Sequence, residues 1–228
     1  MKGICLILFF SIALLCCKKE EATPKDIGLN YYPASVDFYR IYKVDSIVFN
    51  DFTESTDTFR YYVKETHSEI YTVDNENRTR VLEQYKSNLN DKFWIDRFTW
   101  SFQKDNFSVE ENKRNLTKVV LIFPVDENVS WNSNVRNTLD SEEYQIVSIE
   151  SETINGTVFN DVITIEQFNE TDPLQLNTEI GEVKFAPNVG LVRKYEKRVK
   201  RFTTGEVNDV PVDSGFVLTK QIEEYGQY

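Results

Sequence analysis

The stretch that decides the fold prediction runs from residue 144 to residue 167 and reads YQIVSIESETI-NG-TVFNDVITIEQ. Two runs rich in β-branched and aromatic residues flank Asn155-Gly156, and an Asn-Gly pair suits the two-residue type I′ turn of a β-hairpin. Pairing through this turn places Ile146 opposite Ile165 and Ile149 opposite Val162. The stretch therefore predicts two long antiparallel strands.

The same pairing places Glu150 directly opposite Asp161. Like charges in that position destabilise a sheet. We expect one of three outcomes: the pair is solvated, a bulge shifts the register, or a cation lies between the carboxylates. A cation is the least favoured, because a calcium site needs about six or more oxygen ligands.

Short alternating segments separated by polar turns continue through the rest of the chain. Aromatic residues make up 14% of the 228 residues, and enrichment in aromatic and β-branched residues favours sheet. The spacing predicts an all-β fold, a single antiparallel meander of about ten to twelve strands. A meander of this size needs protected edges, so we expect it to curl into a barrel or half-barrel.

The N-terminus has the parts of a secretory signal, with Lys2 before an apolar run from Ile4 to Leu15. That run is shorter than the roughly 20 residues that span a bilayer. The following Leu14-Leu15-Cys16-Cys17 resembles the lipobox of bacterial lipoproteins. The resemblance implies cleavage before Cys17 and acylation of its thiol, because small Cys16 then precedes the cut. Cys16 as the acylated residue and an ordinary signal peptide are the alternatives.

These features predict three parts: a signal peptide (1–16), a lipidated cysteine with a flexible tether (17–35) and an all-β domain (36–228). Lys18-Lys19-Glu20-Glu21 resembles the charged tether of Bacteroidota-type lipoproteins, where it marks export to the cell surface. A plain solvated linker is the alternative. We expect an outer-membrane lipoprotein held by acyl chains, such as palmitate, with the cell-surface face slightly favoured over the periplasmic face.

A second segment, Phe185-Ala186-Pro187-Asn188-Val189-Gly190-Leu191-Val192, resembles a turn found in Bacteroidota-type envelope lipoproteins. Asn188 stands where these proteins usually have Gly, and Asn tolerates the left-handed backbone conformation. The resemblance covers short pieces of the chain and implies fold and location. It implies no activity.

Composition excludes several classes of function. A formal net charge of −11 disfavours binding to nucleic acid. With His67 the only histidine and no cysteine after Cys17, we expect no metal site and no cofactor. We also expect no catalytic residues, and interpret His67 as a surface residue at a strand end. A binding or structural module is therefore favoured over an enzyme.

Four residues are candidates for ligand contact: Trp94, Asp96, Trp100 and Trp131. Alternation places Trp94, Asp96 and Trp100 on one strand face, where aromatic rings stack on sugars or line apolar pockets. For Asp96 the alternative is a solvated strand end. For Trp94 and Trp100 the alternative is core, and Trp131, in a polar segment, is either a lid over the core or an exposed contact.

One basic stretch, RKYEKRVKR at residues 193–201, contrasts with the acidic chain. Alternation divides its Lys and Arg residues between the two faces of a strand. They either pair with carboxylates on neighbouring strands or contact an anionic glycan or lipid head.

Three functions follow from these observations. The first is a lipid-anchored module that binds a glycan, a lipid or another envelope component. The second is a carrier similar to the lipoprotein-sorting proteins LolA and LolB, with an apolar cavity. The third is a glycoside hydrolase that depends on two carboxylates.

Overall fold

A computed structural model describes residues 26–172, 176–201 and 212–228, and these residues form twelve strands. The predicted signal peptide and Cys17 lie outside the described residues. The strands are β1 (Phe38–Asn50), β2 (Ser55–Val73), β3 (Glu76–Lys86), β4 (Ile95–Lys104), β5 (Ser108–Lys113), β6 (Leu116–Ile122), β7 (Ser130–Asn132), β8 (Glu143–Ile154), β9 (Thr157–Thr171), β10 (Asn177–Ala186), β11 (Gly190–Lys200) and β12 (Ser214–Gln227). The predicted all-β fold is confirmed.

The strands form one antiparallel meander that closes on itself almost completely. β1 pairs with β12, so the sheet begins at β6 and ends at β7. These two edges meet where the Val119 N–H donates to the Ser133 carbonyl at 2.9 Å. The Trp131 Nε1–H donates to the Val119 carbonyl, also at 2.9 Å. The predicted curled meander is therefore confirmed as a nearly closed barrel.

The β8–β9 hairpin has the predicted turn. Asn155 and Gly156 have φ of 48° and 79°, the positive values of a type I′ turn, and Ile146 pairs with Ile165. The expected pairing of Ile149 with Val162 is wrong by one residue, because a bulge shifts the register.

The same bulge, between Glu150 and Glu152, separates the two carboxylates whose pairing was expected to be unfavourable. Glu150 lies opposite Val162, and Asp161 adopts a φ of 53° outside the regular ladder. The bulge is therefore the outcome that occurs, and the like-charge pair does not form.

The segment before β1 enters one end of the barrel, which we call the plugged end. Residues Leu29–Tyr31 form a 3₁₀ turn, and Tyr31 and Tyr32 are buried in the core. Ordered structure therefore begins before the predicted domain boundary at residue 36. The sequence interpretation assigned Tyr31 and Tyr32 to the tether. They belong to the ordered domain because their rings fill the barrel end.

Two further contacts close the plugged end. The Asn155 side chain at the hairpin tip donates to the Ile222 carbonyl on β12 at 2.7 Å, reaching across β10 and β11. The Tyr31 hydroxyl donates to the Asp161 carbonyl at 2.5 Å. The bulged hairpin and the N-terminal segment thus cover this end together.

The turn at residues 187–189 requires the residues that stand there. Asn188 has a φ of 63°, and its N–H donates to the Asn30 carbonyl at 2.8 Å. Gly190 has a φ of 85°, and a Cβ there would lie 2.4 Å from Nη1 of Arg40. A side chain at Gly190 would therefore displace the buried Arg40 guanidinium.

The barrel interior has two unlike halves. Next to the plugged end lies an apolar core, which includes Phe102, Val109, Leu121, Ile146, Ile163, Ile165 and Phe185. The other half, toward what we call the mouth end, carries charged side chains on several strands. The mouth end is the end at which the β1–β2, β3–β4 and β5–β6 connections lie. No helix among the described residues is long and apolar enough to cross a membrane.

Candidate ligand-binding site

A cleft of about 490 Å³ opens at the mouth end on the concave side of β1–β4; we call it the mouth cleft. Its volume falls within the usual range for ligand pockets, about 300–1,000 Å³. Tyr61 and Tyr85 lie with ring centres 5.5 Å apart, and Phe59 and Ile95 remain 52% and 62% exposed. The lining residues are Ser46, Phe59, Tyr61, Tyr85, Ile95, Asp96 and Arg97.

The alternation of β2 builds one wall of this cleft and continues into the barrel. Phe59 is exposed, Tyr61 is half-buried, and Val63, Glu65 and His67 are buried. Since alternate residues of a strand point to the same face, one face of β2 passes from the mouth cleft into the interior.

A bulge in β4 changes the expected position of Asp96. Glu83 pairs with Phe98 and Gln84 with Asp96, so Arg97 is an extra residue in the ladder. The Gln84 amide donates to Oδ1 of Asp96 at 2.9 Å. Asp96 therefore shares a face with Gln84 and not with Phe98. The bulge interrupts the regular alternation that the sequence indicated from Trp94 to Phe102.

Behind the mouth cleft lies a central cavity of about 280 Å³, which Tyr61 and Arg97 also line. A side cavity of about 230 Å³ adjoins it, and Lys113 and Lys194 line both. The three spaces follow one another from the mouth end toward the seam between β6 and β7.

Glu65 is the best-connected charge of the central cavity. It is 3% exposed, accepts a hydrogen bond from Lys220 Nζ at 2.7 Å and lies 3.4 Å from Nη2 of Arg40. Burial opposes ionisation, but Lys220 and Arg40 outweigh it and lower the pKa of Glu65 to about 2. The carboxylate is therefore charged, and both its oxygens have cationic partners.

Glu83 lies directly opposite Glu65 on β3 but has a different environment. Its Oε1 lies 3.5 Å from Nη1 of Arg97. Burial raises the pKa of Glu83, and Glu65 raises it further against the effect of Lys220. Two facing carboxylates in one cavity thus have pKa values displaced in opposite directions.

Lys113 connects the central cavity to the apolar core. Its Nζ lies 3.8 Å from the ring centre of Trp100 and 2.5 Å from Oε2 of Glu111. The Tyr32 hydroxyl donates to the other oxygen of Glu111 at 2.7 Å. The N-terminal segment is therefore joined directly to the charged layer of the barrel.

His67 is buried, so its interpretation as a surface residue is wrong. Its Nδ1 lies 3.0 Å from the Ser35 carbonyl and its Nε2 lies 3.3 Å from Nη2 of Arg40. Burial and the Arg40 charge lower the pKa of His67 to about 4. The neutral ring with its proton on Nδ1 satisfies both contacts, since Arg40 can only donate.

The basic stretch on β11 divides between faces as its alternation predicts. Lys194 and Arg198 line the side cavity with Glu196, whereas Lys197 is absent from both cavity walls. Glu196 accepts from Lys194 at 2.9 Å and from Arg198 at 3.0 Å. The cavity-facing cations thus have a carboxylate partner on their own strand.

The structure separates the four predicted contact residues. Of these four residues, only Asp96 lines the mouth cleft. Trp94 is half-buried with Lys86 Nζ 4.7 Å from its ring, and Trp100 is 4% exposed. Trp131 is half-buried against the core and contacts Tyr144 edge-on at 5.9 Å, as a lid residue would.

Sequence reasoning missed the charged residues of the central cavity, chiefly Glu65, Glu83, Lys113 and Lys220. The available signal was the alternation of β2, which places Glu65 on the same face as Tyr61 and Val63. Among the described residues, no group of three or more His, Cys, Asp or Glu side chains could hold a metal ion.

The sequence matches no protein-family model and no curated protein. Two solved structures are similar in shape. One is a protein assigned as exported, with a YmcC-like fold, from Bacteroides fragilis, with a TM-score of 0.45 and 9% identity over 86% of this chain and 98% of that one. The other is a protein assigned as a lipoprotein from Parabacteroides distasonis, with a TM-score of 0.42 and 12% identity over the same shares.

Proposed function

We propose that this chain is a lipid-anchored lipoprotein of the cell envelope whose barrel is a binding module for a small ligand. The mouth cleft carries the proposal, because it combines aromatic walls with a few polar groups and adjoins the central cavity, which in turn adjoins the side cavity. Such a combination is typical of ligand sites. The ligand is a glycan or a lipid, and the ring faces of Phe59, Tyr61 and Tyr85 suit either.

In this proposal, acylated Cys17 anchors the protein in the outer membrane, and the barrel lies on the cell surface. Metabolic labelling with a fatty acid tests it. We expect label on the wild type and on Cys16→Ser, and none on Cys17→Ser. Label that survives in Cys17→Ser but disappears in Cys16→Ser would assign the anchor to the other cysteine. Protease treatment of intact cells, followed by immunoblotting, tests the surface location.

A binding screen of glycans and lipids tests the module itself. The protein is the full chain carrying Cys17→Ser, which removes the predicted acylation. Any ligand found is then measured against Tyr61→Ser, which opens the cleft wall, and against Tyr71→Ser. Tyr71 lies on the same strand beside Arg80, outside the mouth cleft. We expect loss of binding in the first variant only; equal loss in both would place the ligand elsewhere.

A carrier similar to LolA and LolB is less well supported. Such a carrier needs a continuous apolar cavity, and the central cavity is lined by seven charged side chains, Glu65, Glu83, Arg97, Lys113, Arg114, Lys194 and Lys220. An acyl chain that passed these charged side chains would remove water from them, and this desolvation costs free energy. The mouth cleft, by contrast, has only two charged lining residues, Asp96 and Arg97.

A carboxylate-dependent glycoside hydrolase is the second candidate, favoured by one observation. Glu65 and Glu83 face each other, and their pKa values are displaced in the directions of a charged group and a proton donor. Both oxygens of Glu65 are held by cations, which opposes a role as nucleophile. Hydrolysis of aryl glycosides that is absent in Glu83→Gln but retained in Asp96→Asn would establish the enzyme.

A further inference from the structure

The central cavity collects positive charge inside an acidic protein. The chain has a formal net charge of −11, yet five cations and only two carboxylates line this cavity. The cations are Arg97, Lys113, Arg114, Lys194 and Lys220, and the carboxylates are Glu65 and Glu83. The side cavity adds Lys118 and Arg198 together with Glu111, Glu142 and Glu196. Seven cations and five carboxylates therefore line the two cavities, and two of these cations, Arg97 and Arg114, are exposed to solvent.

Lys113 and Lys220 both line the central cavity, and their like charges repel each other. Buried ion pairs are tolerated when charges are matched, because each unmatched buried charge carries a large desolvation cost. Lys220 shows the effect: burial and the nearby Lys113 lower its pKa, although Glu65 acts in the opposite direction. The cavity would be stabilised by an additional negative charge.

The cations also retain hydrogen-bonding capacity toward the cavity. Lys220 Nζ donates to Glu65 and lies 4.0 Å from the ring centre of Tyr42, and Lys194 Nζ lies 2.9 Å from Oε2 of Glu196. An ammonium group has three donors, so each lysine can bind a further oxygen. Arg97 lines both the mouth cleft and the central cavity, so it reaches the same space from the side of the mouth cleft.

We propose that the central cavity binds the oxyanion group of a ligand (a phosphate, sulfate or carboxylate) while the remainder of the ligand lies in the mouth cleft. The inference rests on the proposed function and names the chemical class of its ligand. The arrangement fits an anionic amphiphile: Lys194, Lys220 and Arg97 hold the oxyanion, and Phe59, Tyr61, Tyr85 and Ile95 contact the apolar part. A free oxyanion, such as inorganic phosphate, would present the same anionic group to these cations.

Three probes distinguish these ligands by isothermal titration calorimetry on the full chain carrying Cys17→Ser. They are decyl phosphate, decyl maltoside and inorganic phosphate. The two amphiphiles are each kept below the concentration at which they form micelles. We expect decyl phosphate to bind about tenfold or more tighter than decyl maltoside, since charge-assisted hydrogen bonds are strong. Affinity for inorganic phosphate equal to that for decyl phosphate would identify a free oxyanion as the ligand, and weaker affinity would identify an amphiphile.

Matched variants locate the oxyanion. Lys194→Gln removes a cavity-facing charge, and Lys197→Gln removes a charge from the same strand outside both cavities. We expect the first to abolish the preference for decyl phosphate over decyl maltoside, and the second to preserve it. Phe59→Ser should weaken both amphiphiles alike. A loss of preference in Lys197→Gln as large as in Lys194→Gln would overturn the assignment to the cavity.

Two outcomes separate failure of the inference from failure of the proposed function. Equal affinity for the two amphiphiles in the wild type, with Phe59→Ser weakening both, overturns the oxyanion site and leaves the mouth cleft as a binding site. No binding of either amphiphile or of inorganic phosphate overturns the oxyanion site, and a negative glycan screen would then overturn the proposed function as well.

Discussion

The two halves of the barrel interior are built by the same strands and yet have opposite chemistry. On β5, Val109 is fully buried in the apolar core, while Glu111 and Lys113 of the same strand line the cavities. On β2, the buried Glu65 lies between His67, on the side of the plugged end, and Tyr61, in the mouth cleft. A single strand thus contributes to both halves.

The difference assigns separate tasks to the two halves. Apolar burial stabilises at about 25 cal/mol per Å², so the plugged half is the main source of stability. The charged half gains less, because desolvation offsets much of the attraction within buried ion pairs. The proposed ligand site would account for charges that contribute less to stability than apolar packing does.

The largest effect is expected from removing one charge of the buried layer. Glu65→Gln leaves Arg40 and Lys220 without their shared carboxylate. We expect it to lower the free energy of unfolding by about 4 kcal/mol, because breaking a buried ion pair leaves buried charges without a partner. Urea denaturation followed by circular dichroism measures the change.

The control for this variant is the exposed pair of Arg60 and Asp45, whose side chains are 76% and 38% exposed. Asp45→Asn should change the free energy of unfolding by less than about 1 kcal/mol. If Glu65→Gln cost no more than this control, the charged layer would be as weakly coupled as a surface pair, and the contrast between the halves would fail.

His67 lies where the two halves meet, and it predicts a pH dependence. Its folded-state pKa of about 4 lies below the ordinary value of 6.5, so between these values only the unfolded chain takes up the proton. Stability is therefore complete above pH 6.5 and falls as the pH decreases toward 4. The loss is about 3 kcal/mol at 1.36 kcal/mol per pKa unit. Denaturation at pH 7 and pH 4 measures it.

His67→Gln provides the comparison, because it cannot titrate while carboxylates elsewhere titrate in both proteins. The chain has no other histidine, so the difference between variant and wild type isolates this ring. A wild type that lost no more stability than His67→Gln between pH 7 and pH 4 would show that the ring is accessible to protonation in the folded state.

Local patterns predicted the fold because they act over a few residues. Asn155-Gly156 determines a turn through its positive φ angles, and the flanking alternation determines two strands. The closure of β1 on β12 is different, since it joins residues far apart in the chain. It was predicted only in general form, from the need to protect sheet edges.

The candidate site was less predictable, because bulges change which face a side chain occupies. One extra residue in β4 places Asp96 with Gln84, and no feature of the sequence marks that bulge. The burial of Glu65 and His67 depends on Arg40 and Lys220, which come from other strands. Pairings between distant charges cannot be read from alternation within one strand.

The seam between β6 and β7 tests whether the barrel must stay closed for either half to form. Trp131→Phe keeps the ring against Tyr144 but removes the hydrogen bond to the Val119 carbonyl. We expect a loss of about 1 kcal/mol in the free energy of unfolding, the usual contribution of one hydrogen bond. Hydrogen exchange should accelerate at the Val119 amide and remain unchanged at Ile163, in the core.

A smaller effect on stability than that of Glu65→Gln alone is expected from replacing the whole charged triad, Arg40→Met with Glu65→Leu and Lys220→Met. Replacing a buried ion network by apolar residues of similar volume is often neutral, although loss of Arg40 leaves Nε2 of His67 without its donor. We expect a free energy of unfolding within about 2 kcal/mol of the wild type, a smaller loss than that of Glu65→Gln alone. The preference for decyl phosphate should weaken with the loss of Lys220. A triad variant as unstable as Glu65→Gln would mean that the charges themselves hold the mouth half together, and that the two halves share the task of stabilising the fold.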